Sequence, residues 1–131
     1  MLERADYCCE YCRCCESVSG QALHVDHIDP SRGDIYDNLC AACAACNGSK
    51  WIAVNGTDPT TGEVVLLFNP RIQNWHEHFE WLHAGLIVAG RTPTGRATVD
   101  RLRMNRNRSV RARRSWIAAD VHPPKSTSSE D

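Results

Sequence analysis

Three short stretches decide the fold: Cys9-Glu10-Tyr11-Cys12, then Leu23-His24-Val25-Asp26-His27-Ile28-Asp29-Pro30, then Asn38-Leu39 and Cys43-Ala44-Ala45-Cys46-Asn47-Gly48-Ser49-Lys50. Two Cys-x2-Cys knuckles about 30 residues apart have the spacing of a tetrahedral four-cysteine zinc site. The cysteines are bunched at 8, 9, 12, 14 and 15 and again at 40, 43 and 46, with none later. A disulfide framework usually spreads its cysteines to clip distant loops, so the clustering favours metal over cross-links. The leading expectation is a structural Zn2+ on Cys9, Cys12, Cys43 and Cys46. The register stays open, because Cys12/Cys15 and Cys40/Cys43 share the spacing, and Cys8 or Cys15 could replace a ligand. Redox thiols and disulfides are the competing readings of the cluster.

The surrounding composition explains why a staple is needed. The chain has 131 residues, 42% hydrophobic, yet Leu, Ile, Val and Phe together number only 25. So thin a set of large apolar side chains predicts one small domain helped by metal. No stretch approaches a membrane span, and Met1-Leu2-Glu3-Arg4-Ala5-Asp6 lacks the basic-then-apolar pattern of a signal peptide. The expectation is a soluble, cytoplasmic protein with no membrane partner. The net charge of −1 conceals an asymmetry. Residues 1–39 hold eight acids against three arginines, whereas residues 91–114 hold nine arginines against Asp100 alone. The second segment has the charge to bind a polyanion by releasing its counterions, though a solvated helix face is the plainer alternative.

Element by element, the sequence predicts an α+β chain. Residues 22–28 read as a short strand ended by Asp29-Pro30, and Ser31-Arg32-Gly33-Asp34 as a turn. The alanines from Leu39 to Lys50 favour helix. Residues 55–62 read as loop, and Glu63-Val64-Val65-Leu66-Leu67-Phe68 as the best strand. Phe79, Trp81 and Ile87 fit a hairpin turning at His83-Ala84-Gly85, with a short helix over 75–81 as the alternative. Helices are expected over 92–105, with Val99, Leu102 and Met104 inward, and over 108–119, with Val110, Trp116 and Ile117 inward. The domain reading is a zinc-stapled core over 1–54, an extension over 55–120 in the same compact unit, and a disordered tail over 121–131.

Singly, the polar residues between the knuckles have ordinary explanations: Asn38 as a helix cap, Asn47-Gly48 as a turn, His24 and His27 as surface histidines. Their order is not ordinary. The pattern CxxC…VDHI-x-P…NL…CxxCN-x-x-K over residues 9–50 strongly resembles the HNH endonuclease family. The resemblance implies a ββα-metal (His-Me finger) core stapled by the four-cysteine zinc site, with a hairpin-plus-helices extension. It implies a metal-dependent endonuclease with His27 as general base, Asp26 as a ligand of the catalytic ion and Asn38 holding the base-bearing strand. Asn47 stands where the family's last His would fall, and an amide oxygen suits Mg2+ or Mn2+ better than a catalytic Zn2+. His24 could add to that site. Lys50, Arg111, Arg113 and Arg114 are the expected phosphate contacts.

A weaker resemblance, in Asn69-Pro70-Arg71, Trp75, His78-Phe79-Glu80-Trp81 and Gly95-Arg96-Ala97-Thr98-Val99, links the extension to small stand-alone bacterial members of that family. His76 and His78 lack a matching ligand pair and read as packing or surface residues. The function expected is DNA hydrolysis by nicking or double-strand cleavage, leaving 5′-phosphate and 3′-hydroxyl ends, by a monomer or weak homodimer. Arginine contacts to phosphate position a protein without reading sequence, so specificity is expected to be weak or structure-dependent. A non-catalytic zinc-ribbon module would use the knuckles and arginines but not Asp26, His27 and Asn47 together. An RNA-cleaving effector would use the same site.

Overall fold

The computed structural model describes residues 2–125. A 3-10 turn at Glu3–Ala5 leads into the first knuckle, which is followed by a short helix α1 (Glu16–Ser19). Strand β1 (His24–His27) pairs antiparallel with β2 (Leu39–Ala42), with Asp26 opposite Cys40 and His27 opposite Leu39. Helix α2 (Ala44–Lys50) follows directly. The helix expected from Leu39 onward is therefore corrected in its first half. Residues Cys40, Ala41 and Ala42 are wholly buried against β1, and that pairing overrides alanine's helical preference. Cys43 ends the strand and caps the helix, its sulfur accepting from Cys46 N–H.

The second half adds a hairpin of β3 (Asn55–Thr57) and β4 (Val64–Leu66), a single helical turn α3 (Trp75–His78), a second hairpin of β5 (Phe79–Leu82) and β6 (Ile87–Gly90), and helices α4 (Pro93–Leu102) and α5 (Asn107–Ala118). The loop expected over 55–62 begins instead as a strand, because Asn55 to Thr57 pair with Leu66 to Val64. The turn between them is built by Asp58, whose carboxylate accepts from Thr60 N–H and Thr61 Oγ1 and pairs with Arg96 on α4. Both readings of 75–82 hold in part: a helical turn capped by Asn74 runs straight into the hairpin. Helix α4 is capped by Thr92, which accepts from Gly95 N–H, and starts with Pro93. It lies so close to the end of α3 that a Cβ on Gly95 would fall 2.0 Å from His78 O.

One apolar cluster spans both halves of the chain. Cys9, Tyr11, Cys40 and Cys46 join Phe68, Trp75, Phe79, Val88, Ala97, Leu102 and Met104. The Trp75 indole N–H donates to Tyr11 O at 2.7 Å, tying the extension to the first knuckle. Helix α5 departs from expectation: Val110, Trp116 and Ile117 are only half-buried, and its one fully buried side chain is Arg113. The disordered tail expected from residue 121 is corrected at its start. His122 is buried, with Nε2 3.0 Å from Gly85 O and its ring edge-on to Trp81. The remainder of that expectation, residues 126–131, lies outside the described residues. Among the described residues no helix is long and apolar enough to cross a membrane.

Candidate metal centre and nuclease site

The two knuckles converge. The sulfurs of Cys9, Cys12, Cys43 and Cys46 all lie within 4.8 Å of one another. Cys12 Sγ and Cys43 Sγ are 3.7 Å apart, close to the roughly 3.8 Å that tetrahedral Zn–S bonds of about 2.3 Å impose. Each knuckle folds back on its first sulfur: Cys12 N–H donates to Cys9 Sγ and Cys46 N–H to Cys43 Sγ, both at 3.4 Å. Four thiols this close do not ionise independently. Hydrogen bonds from Cys12, Cys46 and Cys9 drive the Cys43 thiol strongly down, while Cys12 is held up by its bonds to Cys14 and Cys43. A tetrathiolate therefore needs a cation, and the donor set fits Zn2+.

Of the other four cysteines, Cys14 stays beside this group, hydrogen-bonded to Cys12, and the remaining three separate from it. Cys8 and Cys15 are joined as a disulfide, so neither is available to a shifted register. Cys40 is buried beside Tyr11 and Asp26, and burial pushes its thiol up to about 12. Arg113 was expected to face nucleic acid and does not. Its guanidinium is buried and donates to Leu86 O, Met104 O and Asn105 Oδ1, and it feels the charge of Cys12, Cys46, Cys14 and Cys43. A four-thiolate zinc site carries a net negative charge, and Arg113 is the buried cation set against it.

Beside the staple, β1 divides its side chains between two faces, as a strand must. Asp26 points inward and is 4% exposed, whereas the His27 side chain is 42% exposed. Asp26 Oδ2 accepts from Tyr11 OH at 3.1 Å and lies 3.2 Å from Lys50 Nζ. Lys50 also donates to His27 O and Ile28 O, both at 3.1 Å, and is 1% exposed. The expectation that Lys50 contacts phosphate is thus corrected: the last turn of α2 buries the ammonium under β1.

Asn38 is also fully buried. Its Nδ2 donates to Asp29 O and Gly33 O at 2.8 Å, and its Oδ1 accepts from Asp29 N–H at 2.9 Å. Its own carbonyl accepts from Ile28 N–H. Asn38 therefore clamps the loop that leaves His27. Across that loop His27 Nε2 lies 2.5 Å from Asp34 Oδ1. Sequence reasoning missed Asp34, which looked like one polar residue of a turn. Asn47 is half-buried, in the α2 turn that begins at the second knuckle. His24 is exposed at the start of β1, and among the described residues only the four cysteines form a group of three or more His, Cys, Asp or Glu donors. The Asp26 carboxylate, expected as a ligand of a catalytic ion, is held by Tyr11 OH and paired with Lys50.

Residues 9–51 match the family model for HNH endonuclease. No curated protein and no solved structure matches the chain. The HNH match covers about a third of the 131 residues and takes in both knuckles, β1, β2 and α2. It supports a metal-dependent nuclease acting on nucleic acid. Of the expected phosphate contacts, Arg111 and Arg114 are exposed on α5, outside the matched HNH segment.

Proposed function

We propose that the chain is a metal-dependent endonuclease that hydrolyses DNA phosphodiester bonds from a ββα-metal core formed by β1, β2 and α2. The observation that carries this reading is the setting of His27. Asn38 clamps the loop behind it, Lys50 holds its carbonyl, and Asp34 sits against its ring while the ring stays open to solvent. A carboxylate can only accept, so Nε2 carries the ring proton toward Asp34 and the lone pair falls on Nδ1. Nδ1 is then the proton acceptor. A water attacks phosphorus, Nδ1 takes its proton, and the imidazolium formed is stabilised by Asp34. The bond from phosphorus to the 3′ oxygen breaks, and a solvent water protonates that oxygen to leave a 3′-hydroxyl opposite a 5′-phosphate, the hydroxide so formed being neutralised by the imidazolium proton. Asp26 and Asn47 would hold a Mg2+ or Mn2+ ion, which supplies counter-charge to the leaving oxygen when bound. Asp26 and His27 diverge from adjacent positions, so ion and base approach a phosphate from different sides.

A supercoiled-plasmid assay with Mg2+, Mn2+ or EDTA tests the reading. Relaxed or linear DNA is expected only with metal, and His27→Ala is expected to lose about 10²–10⁴-fold in rate while keeping its fold. Metal-independent cutting, or full activity in His27→Ala, would sink it. Cutting of an RNA substrate alone would retain the site and replace the substrate.

A further inference from the structure

A cleft of about 420 Å3 opens where the first knuckle meets the extension, and His27 is not in its lining. It adjoins the edge of β2 that β1 leaves unpaired. There Glu10 N–H donates to Ala41 O, Ala41 N–H donates to Glu10 Oε2, and Arg4 donates to Leu39 O. Its lining is cationic: Arg4, Arg13, Arg71 and Lys125 against Asp6 and Glu10, with the half-buried indole of Trp81 as an aromatic wall. Its size lies within the range of small-ligand sites, about 300–1,000 Å3.

Arg71 is the unusual member. Its side chain is 9% exposed and ion-paired with Glu10. Its buried Nε meets no acceptor among the described residues. Burial and the neighbouring Arg4 lower the guanidinium to about 10, and its ion-pair partner is the Glu10 carboxylate. Glu10 already spends its other oxygen on Ala41 N–H. A planar guanidinium with donors to spare, beside a second one, matches the oxygens of a phosphate. The Trp81 ring is already packed against Trp75, His122 and Arg113, so the guanidinium groups give the cleft its preference for a phosphate.

We propose that this cleft binds the phosphate of a nucleotide, with Arg71 as the buried anchor and Arg4, Arg13 and Lys125 around it. The phosphate belongs either to a free mononucleotide or to the 5′ end of a strand. The cleft's lining does not include His27, so the site stands independently of the nuclease reading.

Titration calorimetry on the zinc-loaded full chain tests it, in the His27→Ala background so that no probe is cut. The probes are dAMP, deoxyadenosine, and a trinucleotide with and without its 5′-phosphate. dAMP is expected to bind at least about tenfold more tightly than deoxyadenosine, since the phosphate adds charge-assisted hydrogen bonds. Arg71→Gln is expected to remove that difference. Should Arg71→Gln fail to fold, Arg13→Gln with Lys125→Gln takes its place, and dAMP is expected to bind it several-fold more weakly. Phosphate-dependent binding of the trinucleotide assigns the site to strand ends; binding of dAMP alone assigns it to free nucleotide. Equal binding of dAMP and deoxyadenosine, or wild-type dAMP affinity in the folded variants, overturns the proposal. Its failure is separable from that of the nuclease reading: plasmid cutting without dAMP binding sinks only the cleft, and dAMP binding without cutting sinks only the nuclease.

Discussion

Lys50 ends α2 with its ammonium against Asp26 Oδ2 and two backbone carbonyls, at 1% exposure. A buried carboxylate stripped of its cation is costly, so Lys50→Met is expected to lose about 3–5 kcal/mol of stability in chemical unfolding without added divalent ion. A loss below about 1 kcal/mol would return Lys50 to the status of a surface residue that happens to fold inward. Asp26 and His27 were legible because adjacent residues on a strand diverge, a rule that needs no tertiary knowledge. The surroundings of Lys50 were not legible. Its partners lie 22 to 24 residues away along the chain, and a lysine at a helix end reads by default as solvent-facing. Asp34 was hidden for a different reason: a turn acid has many bland uses, and only the closed loop brings it to Nε2 of His27.

At the scale of elements, the knuckles were readable from spacing alone, while the boundary between β2 and α2 was not. Ala41 and Ala42 pair with β1, and Ala44 and Ala45, of the same type, begin a helix. Propensity cannot divide such a run; burial on one side and the Cys43 cap on the other do. The strand over 55–57 was obscured in the same way, since Asn55-Gly56-Thr57 has little strand character until β4 lies beside it. The cysteine register makes a direct prediction. Cys43→Ser is expected to lose stoichiometric zinc and cooperative melting, while Cys8→Ser with Cys15→Ser keeps about one zinc per chain. Metal analysis and a melting curve on the two variants decide it, and zinc loss from the second would move the site.

On the whole molecule, charge and core were only partly legible. The arginine run of 91–114 looked like one face, yet Arg113 is buried behind the cysteines and Arg96 is paired with Asp58; Arg108 is exposed on α5, as are the two expected phosphate contacts Arg111 and Arg114. Neutralising both is expected to reduce the slope of log binding constant against log salt by about 1.8 on duplex DNA; an unchanged slope makes them solvated surface. The carboxyl-terminal stretch makes its own prediction. Burial holds His122 below its ordinary value. The unfolded chain therefore takes up a proton near pH 6.5 that the native state resists, so the contribution is complete above about pH 6.5 and is lost as pH falls below it. Melting between about pH 7.5 and 5.5 should fall more steeply in the wild type than in His122→Phe, and parallel curves would remove His122 from the account. The indoles of Trp75 and Trp81 lie with centroids 5.4 Å apart and planes 36° from parallel. Trp75 is bonded to the first knuckle through Tyr11 O, and Trp81 packs on His122. Two chromophores that close couple their excited states, so the circular dichroism of this pair becomes a built-in optical gauge of whether knuckle, hairpin and carboxyl-terminal stretch are docked together.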